Sequence, residues 1–406
     1  MLCLKFKFMK FIKIISVLLF IPFTLLLKMI SPIIKVRWAK EYFGDRIGHL
    51  VAEMEHYLFL TKKKSLFIID IFPKTIFFNS DPSNKFLQTH YRRRIVTIND
   101  KIVILLQRSQ KVLEDIFKTS LFENLDFLLS TKDNHKIYTK NFKPTISFTG
   151  DEIKKIRESL HKIGIRKNQK FICLIVRDNL YLKRRMNFET SYHDYRDCNI
   201  DNFKTAVNYL LKKNYFVLRM GKLQKNKMQL KNKNFLDYAF SNYKSDILDV
   251  WLMANCEFCI STGTGFDQIS RIFNRPVLYL NQIPLIDWSS YSKSFTHPKF
   301  LFKKKVGKVS KIEDYLKFSF HRKLDYKKKN LNVIDLSKGE ILDCVKEFLK
   351  ILANNWHVSK SKRKKQKKFN KEFTKYLNHF HPKVDFHKKI HKHALISDNF
   401  LNSLKI

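Results

Sequence analysis

Between Lys170 and Asn281 the chain repeats one pattern: a short apolar run, a turn, and a stretch with apolar residues at helical spacing. The apolar runs are KFICLIV (170–176), YFVL (215–218), CEFCIST (256–262) and PVLYLN (276–281). Between them lie IDNFKTAVNYLLKKN (200–214), SDILDVWLMAN (245–255) and GFDQISRIFN (265–274). Continuous apolar runs mark strands buried on both faces, and strands joined through helices must run parallel. The pattern therefore predicts an α/β fold with a Rossmann-like sheet.

The turn after CEFCIST is the most informative within it. The sequence holds nine glycines in 406 residues, and two of them, Gly263 and Gly265, stand in Ser261-Thr262-Gly263-Thr264-Gly265. In an open parallel sheet, ligands collect at the carboxyl ends of the strands. Glycine permits a positive φ and a close approach, and a helix N-terminus with hydroxyls beside it receives phosphate. A plain strand–helix turn is the alternative. Three other predicted strand ends and loops bring suitable company: Arg177-Asp178, Arg219-Met220-Gly221-Lys222, and His193-Asp194-Tyr195-Arg196. Arginine forks match phosphate oxygens, so these residues predict an anion site. A surface ion-pair network, Arg196 with Asp194 or Asp201, would account for the same residues.

The preceding region alternates similarly. IIKVRW reads as a strand, VAEMEHYLFLTKK as a helix and SLFIIDIFP (65–73) as a buried strand, while IVILLQ (102–107) suits either a strand or a helix. Arg46, Gly48 and His49 fall in the loop between the first strand and first helix. A histidine there is a candidate base, its unperturbed pKa lying near neutral; a locally bonded helix-start histidine is the alternative.

The ends are basic. An uncharged run from Ile14 to Leu27, containing Pro22 and flanked by Lys5, Lys7, Lys10, Lys13 and Lys28, suits a segment lying in the cytoplasmic leaflet. A single span from about Phe11 to Ile34, or a plain core helix, remains open. The last residues, with SKRKKQKK and histidines 379, 381, 387, 391 and 393, read as a solvated or lipid-facing tail, since interleaved lysines would repel a metal. The formal net charge is +43, but only 17 of the 79 cationic residues are arginine. Such diffuse lysine favours anionic partners without choosing among them. Cys256 and Cys259 have CxxC spacing with no second pair, which points to buried thiols. The expected organisation is a membrane-associating segment (1–34), an N-terminal domain (35–145), a C-terminal domain (146–355) and a basic tail (356–406).

RIGHL (46–50), VRD (176–178), HDYRDCNIDNF (193–203), RMGK (219–222), SDILDVWLMANCEF (245–258) and STGTGFDQISRIFNRPVLYLN (261–281) occur in an order that resembles a family of bacterial proteins assigned as glycosyltransferases and found with surface-polysaccharide genes. The resemblance covers roughly residues 1–300. It implies a GT-B-like architecture, two Rossmann-like domains facing across a cleft. The second would bind a nucleotide-sugar donor, and the first would shape the site of a glycan or lipid-linked acceptor at the inner face of the bacterial membrane. GT-B enzymes work without a bound metal or other cofactor, the nucleotide-sugar being a co-substrate. On this reading the STGTG turn, with Arg219 and Lys222, holds the donor diphosphate, Arg177, Asp178, Arg196 and Gly221 complete the donor site, and Asp267 contacts sugar or ribose hydroxyls; His49 is the base and His193 the reserve. Two alternatives keep the sequence features: a pyruvyl or other group transferase on the same fold, and a basic nucleic-acid-binding protein, although no RNA or DNA module is recognisable.

Overall fold

The computed structural model describes residues 2–39, 46–62, 67–73, 82–122, 142–185, 190–304, 307–384, 387 and 389–405, with side chains described from residue 14 onward. The chain divides into two compact units, Met1–Ser130 and Thr131–Ile406.

The first unit runs α1 (Leu2–Ile30), β1 (Lys35–Trp38), α2 (Ile47–Leu60), β2 (Ile68–Pro73), α3 (Lys85–Arg92), β3 (Val96–Ile98) and α4 (Asp100–Phe117). Its strands form a parallel sheet in the order β1-β2-β3. IVILLQ lies within α4. Asn99 caps that helix by accepting from the Lys101 amide, and Val103, Leu106, Ser109, Gln110 and Leu113 form its buried stripe. Helix α1 packs along α4, with Thr24 Oγ1 2.6 Å from Ser109 Oγ and Lys28 donating to the Leu121 carbonyl at 2.7 Å. Its other side exposes Ile14, Leu18, Leu19, Leu26 and Met29. Among the described residues, no helix is long and apolar enough to cross a membrane.

The second unit begins with α5 (Gly150–Ile163), β4 (Phe171–Ile175), α6 (Leu180–Arg185), α7 (Lys204–Lys212), β5 (Phe216–Arg219) and β6 (Phe235–Leu236). It continues with α8 (Asp246–Asn255), β7 (Phe258–Ser261), α9 (Asp267–Ile272), β8 (Val277–Gln282), β9 (Ser294–Pro298), β10 (Phe300–Lys303) and β11 (Gly307–Lys308). Last come α10 (Ile312–Lys317), α11 (Lys323–Lys328), β12 (Leu331–Ile334), α12 (Lys338–Ala353), α13 (Lys360–Phe380), β13 (Ala394–Ile396) and α14 (Asp398–Ser403). Seven strands form one parallel sheet in the order β13-β9-β8-β7-β4-β5-β6. From β4 the chain winds outward through β5 to β6, then returns to lay β7 on the other side of β4. Apart from β13, this is the doubly wound order of a Rossmann-like sheet, and it places a topological switch point between β4 and β7. Ile172, Leu174, Val217, Phe258, Ile260, Leu278 and Leu280 are wholly buried in it, as their uninterrupted apolar runs require.

The basic tail expected from residue 356 is corrected: these residues complete the second unit. Strand β13 pairs with β9, Leu395 opposite Phe295. On α13, Lys362, Gln366, Phe369, Phe373 and Leu377 make one buried stripe. Trp288 meets Phe369 and Phe373 edge-on, with ring centroids 5.6 and 5.1 Å apart. Lys362 is buried in an ion cluster with Glu347 and Asp398. The histidines 381 and 387 bond within the unit, His381 to the Leu316 carbonyl and His387 to Ser290 and the Ile286 carbonyl. Arg363, Lys364, Lys365, Lys367, Lys368, Lys371 and Lys375 are the exposed face of this folded helix.

A chain ended at residue 355 should therefore lose stability. Uncovering Trp288 alone removes two aromatic contacts, each phenylalanine side chain contributing about 3–5 kcal/mol to a core. The thermal midpoint is expected to fall by roughly 10 °C or more, read by circular dichroism. A midpoint unchanged within error would return 356–406 to the status of an appendage.

Candidate functional site

The carboxyl ends of β4 and β7 open into the switch-point crevice, and their loops are laced together. The Arg177 amide donates to Thr262 Oγ1 at 2.9 Å, and the Thr262 amide to the Ile175 carbonyl at 3.2 Å. Gly263 then turns with φ +78°, a left-handed conformation that disfavours any side chain. A Cβ there would meet only ordinary contacts, so conformation rather than space demands the glycine. Gly265 is exposed and has no positive φ.

Much of the turn faces inward. Ser261 Oγ accepts from the Gly263 amide at 3.0 Å and donates to Asp267 at 2.6 Å. Asp267 also accepts from the Thr264 amide at 2.9 Å and the Tyr279 hydroxyl at 3.2 Å. Two expectations are corrected here. Asp267 is buried beneath the turn, where burial raises its pKa above the usual range; its bonds brace the loop, so it does not reach out to sugar or ribose hydroxyls. The Gly263 and Thr264 amides are already engaged, and α9 has only six residues, so a helix terminus is not the seat for phosphate. Ser261 and Thr262 are likewise interior. Of the three hydroxyls, Thr264 Oγ1 makes no hydrogen bond among the described residues.

The charge comes from two arginines. Arg196, from the turn Ser191–Arg196, donates through Nη2 to the Gly263 carbonyl at 2.7 Å, while its buried Nε has no partner among the described residues. Arg177 pairs through Nε with Asp197 at 3.2 Å, and its Nη2 is equally unpartnered. Burial, and then the charge of Arg196, hold the Arg177 pKa below its ordinary value. Burial also pushes Asp197 up, against the pull of Arg177. Arg177, paired with Asp197, and Arg196, bonded to the Gly263 carbonyl, thus bring two guanidinium groups beside the turn.

The other expected donor residues have different roles. Arg219 is wholly buried, with Nη1 3.3 Å from Asp237 and Nη2 donating to Gln224 at 2.7 Å; its expected place on a diphosphate is corrected to a brace within the 220–237 loop. Gly221 has φ +154° and leaves room for Gln224, whose side chain lies 2.6 Å from where a Cβ would stand. Asp178 accepts from the Leu180 and Lys225 amides at 3.0 and 2.9 Å, joining the loops after β4 and β5 in place of a ligand contact. The charge of Lys222 acts on Asp249 of α8, whose carboxyl burial pushes up to about 7. His193 lies in the same turn as Arg196, its ring 4.0 Å from that of Tyr192. Arg46, Gly48 and His49 belong to the first unit. Arg46 precedes α2, Gly48 is buried in its first turn, and His49 Nδ1 lies 2.5 Å from Glu53.

The sequence reading missed Lys299, Gln282, Asp287 and His321. Buried Lys299 donates to the carbonyls of Tyr195 and Asp197 at 2.9 and 2.7 Å and pairs with Asp335 at 2.7 Å, so it holds the loop that presents Arg196. Nothing distinguished it among so many lysines. Gln282, at the end of β8, donates to the Asp287 carbonyl at 2.8 Å, and Asp287 lies 3.3 Å from His321 Nε2.

No protein-family model, curated protein or solved structure matches this chain. Among the described residues, no group of three or more His, Cys, Asp or Glu is placed to hold a metal ion.

Two substitutions should separate conformation from clamping, both read by denaturant unfolding. Gly263→Val is expected to cost about 1–2 kcal/mol through its left-handed φ. Lys299→Met should cost about 2–3 kcal/mol by leaving Asp335 and two carbonyls without their donor. A neutral Lys299→Met would contradict the clamp.

Proposed function

We propose that the chain is a glycosyltransferase that binds a nucleoside-diphosphate sugar at the crevice between β4 and β7. It transfers the sugar to a glycan or lipid-linked acceptor of the cell surface. One observation supports this above all: Arg177, Arg196 and Thr264 bring three unpartnered buried donor atoms to one turn at the switch point. Two guanidinium groups repel one another there, and an anion spanning both would relieve the repulsion.

In the reaction so proposed, the acceptor oxygen bonds to the anomeric carbon as the bond to the diphosphate oxygen breaks. The diphosphate leaves with that electron pair, and Arg177 and Arg196 stabilise the charge as it develops. The first unit contributes Arg46, Gly48 and His49 to the acceptor. His49, whose Nδ1 lies 2.5 Å from Glu53, is the base that takes the hydroxyl proton; His193 is the alternative base. The apolar outer face of α1 rests on the cytoplasmic leaflet, beside basic residues that favour anionic headgroups.

A panel of nucleotide-sugars incubated with lipid-linked acceptors, with release of free nucleotide as the readout, tests this reading. One nucleotide class should be consumed, and Arg196→Gln should slow its turnover about 10²-fold or more while the fold is kept. Consumption of a phosphoenolpyruvate donor instead would favour the pyruvyl-transferase alternative.

A further inference from the structure

Beside the glycine turn lies an ionisable pair that the proposed transfer does not use. Asp287 follows β8 in the short 3-10 turn Leu285–Asp287, and His321 lies in the loop between α10 and α11. Gln282 connects this pair to the glycine turn. Its side chain amide bonds the Asp287 carbonyl, and its Cγ stands 3.5 Å from the point a Gly263 Cβ would occupy. Arg196, bonded to the Gly263 carbonyl, is near enough for its charge to act on both members of the pair.

We propose that His321, seated on Asp287, is a proton-linked third cation of the anion site, so that a diphosphate-bearing ligand binds with uptake of a proton by the imidazole. This inference rests on the reading of the crevice as a phosphate site. Its chemistry follows from the neighbours. The Asp287 hydrogen bond and charge raise the His321 pKa, against burial and the repulsion of Arg196. For Asp287, burial acts upward, but the bond to His321 and the charges of Arg196, His321 and His387 outweigh it and leave the carboxyl below its usual range. The other groups facing the pair are the Tyr195 and Tyr326 hydroxyls, both held neutral by burial, and Lys323, 3.8 Å from Asp194. Asp287 is therefore the anion that balances His321, and a bound phosphate adds a second. Because binding raises the imidazole pKa further, the added affinity is present below the free-state value and is lost as pH rises through the bound-state value.

Calorimetric titration of the full chain with inorganic pyrophosphate, at pH 6.0 and 8.5 and constant ionic strength, tests this. The titration is repeated with His321→Gln and Asp287→Asn. The ionisation of pyrophosphate itself is common to all three proteins, so differences between them belong to the pair. The wild type should lose about tenfold more affinity than His321→Gln over this interval, one pKa unit being a factor of ten. Asp287→Asn should move its loss of affinity to lower pH. Equal pH dependence in wild type and His321→Gln would overturn the proton link while leaving the phosphate site standing. Loss of all binding in a folded His321→Gln would also overturn it, since the side chain would then act without regard to its proton. Failure of the wild type to bind pyrophosphate at either pH would reject the phosphate site and this inference together.

Discussion

The pairing of β4 with β7, whose loops meet through residues 85 apart in sequence, brings Arg177 and the glycine turn to one place. A parallel sheet that winds outward in one direction and then in the other must leave a crevice where it reverses. The inward bonds of Ser261 and Asp267 fix the turn after β7, and Lys299 fixes the loop that presents Arg196. The crevice is thus framed by groups already satisfied, with a few donors left unsatisfied inside it.

The electrostatics follow the same logic. The net charge of +43 is spread over the surface, where solvent and salt screen it. Arg177 is different because burial, and then the charge of Arg196, hold its pKa below the ordinary value. The basic run of α13, by contrast, is the outer face of a helix whose inner face packs against Trp288. The density of lysine at the C-terminal end of the sequence thus marks the solvated face of a packed helix.

Much of the sheet was legible because its strands are apolar runs buried on both sides, and the Gly263 turn was legible because glycine is scarce. The site was only partly so. Arg177 and Arg196 stand at the crevice, whereas Arg219 and Asp267 are structural, a distinction that depends on Asp237 and Tyr279, distant in sequence. The C-terminal segment was misread because its buried stripe includes Lys362 and Gln366, which break the apolar period that would have marked a core helix. Asp287 and His321 meet across 34 residues in segments with no motif, so no local pattern could have paired them.

The most direct test is a crystal structure of the full chain grown with a nucleoside diphosphate, chosen from the nucleotide class that its donor panel selects. The account predicts phosphate oxygens within hydrogen-bonding distance of Arg177 Nη2, Arg196 Nε and Thr264 Oγ1, above the Gly263 turn. A nucleotide bound elsewhere, with those three atoms still unpartnered, would contradict it.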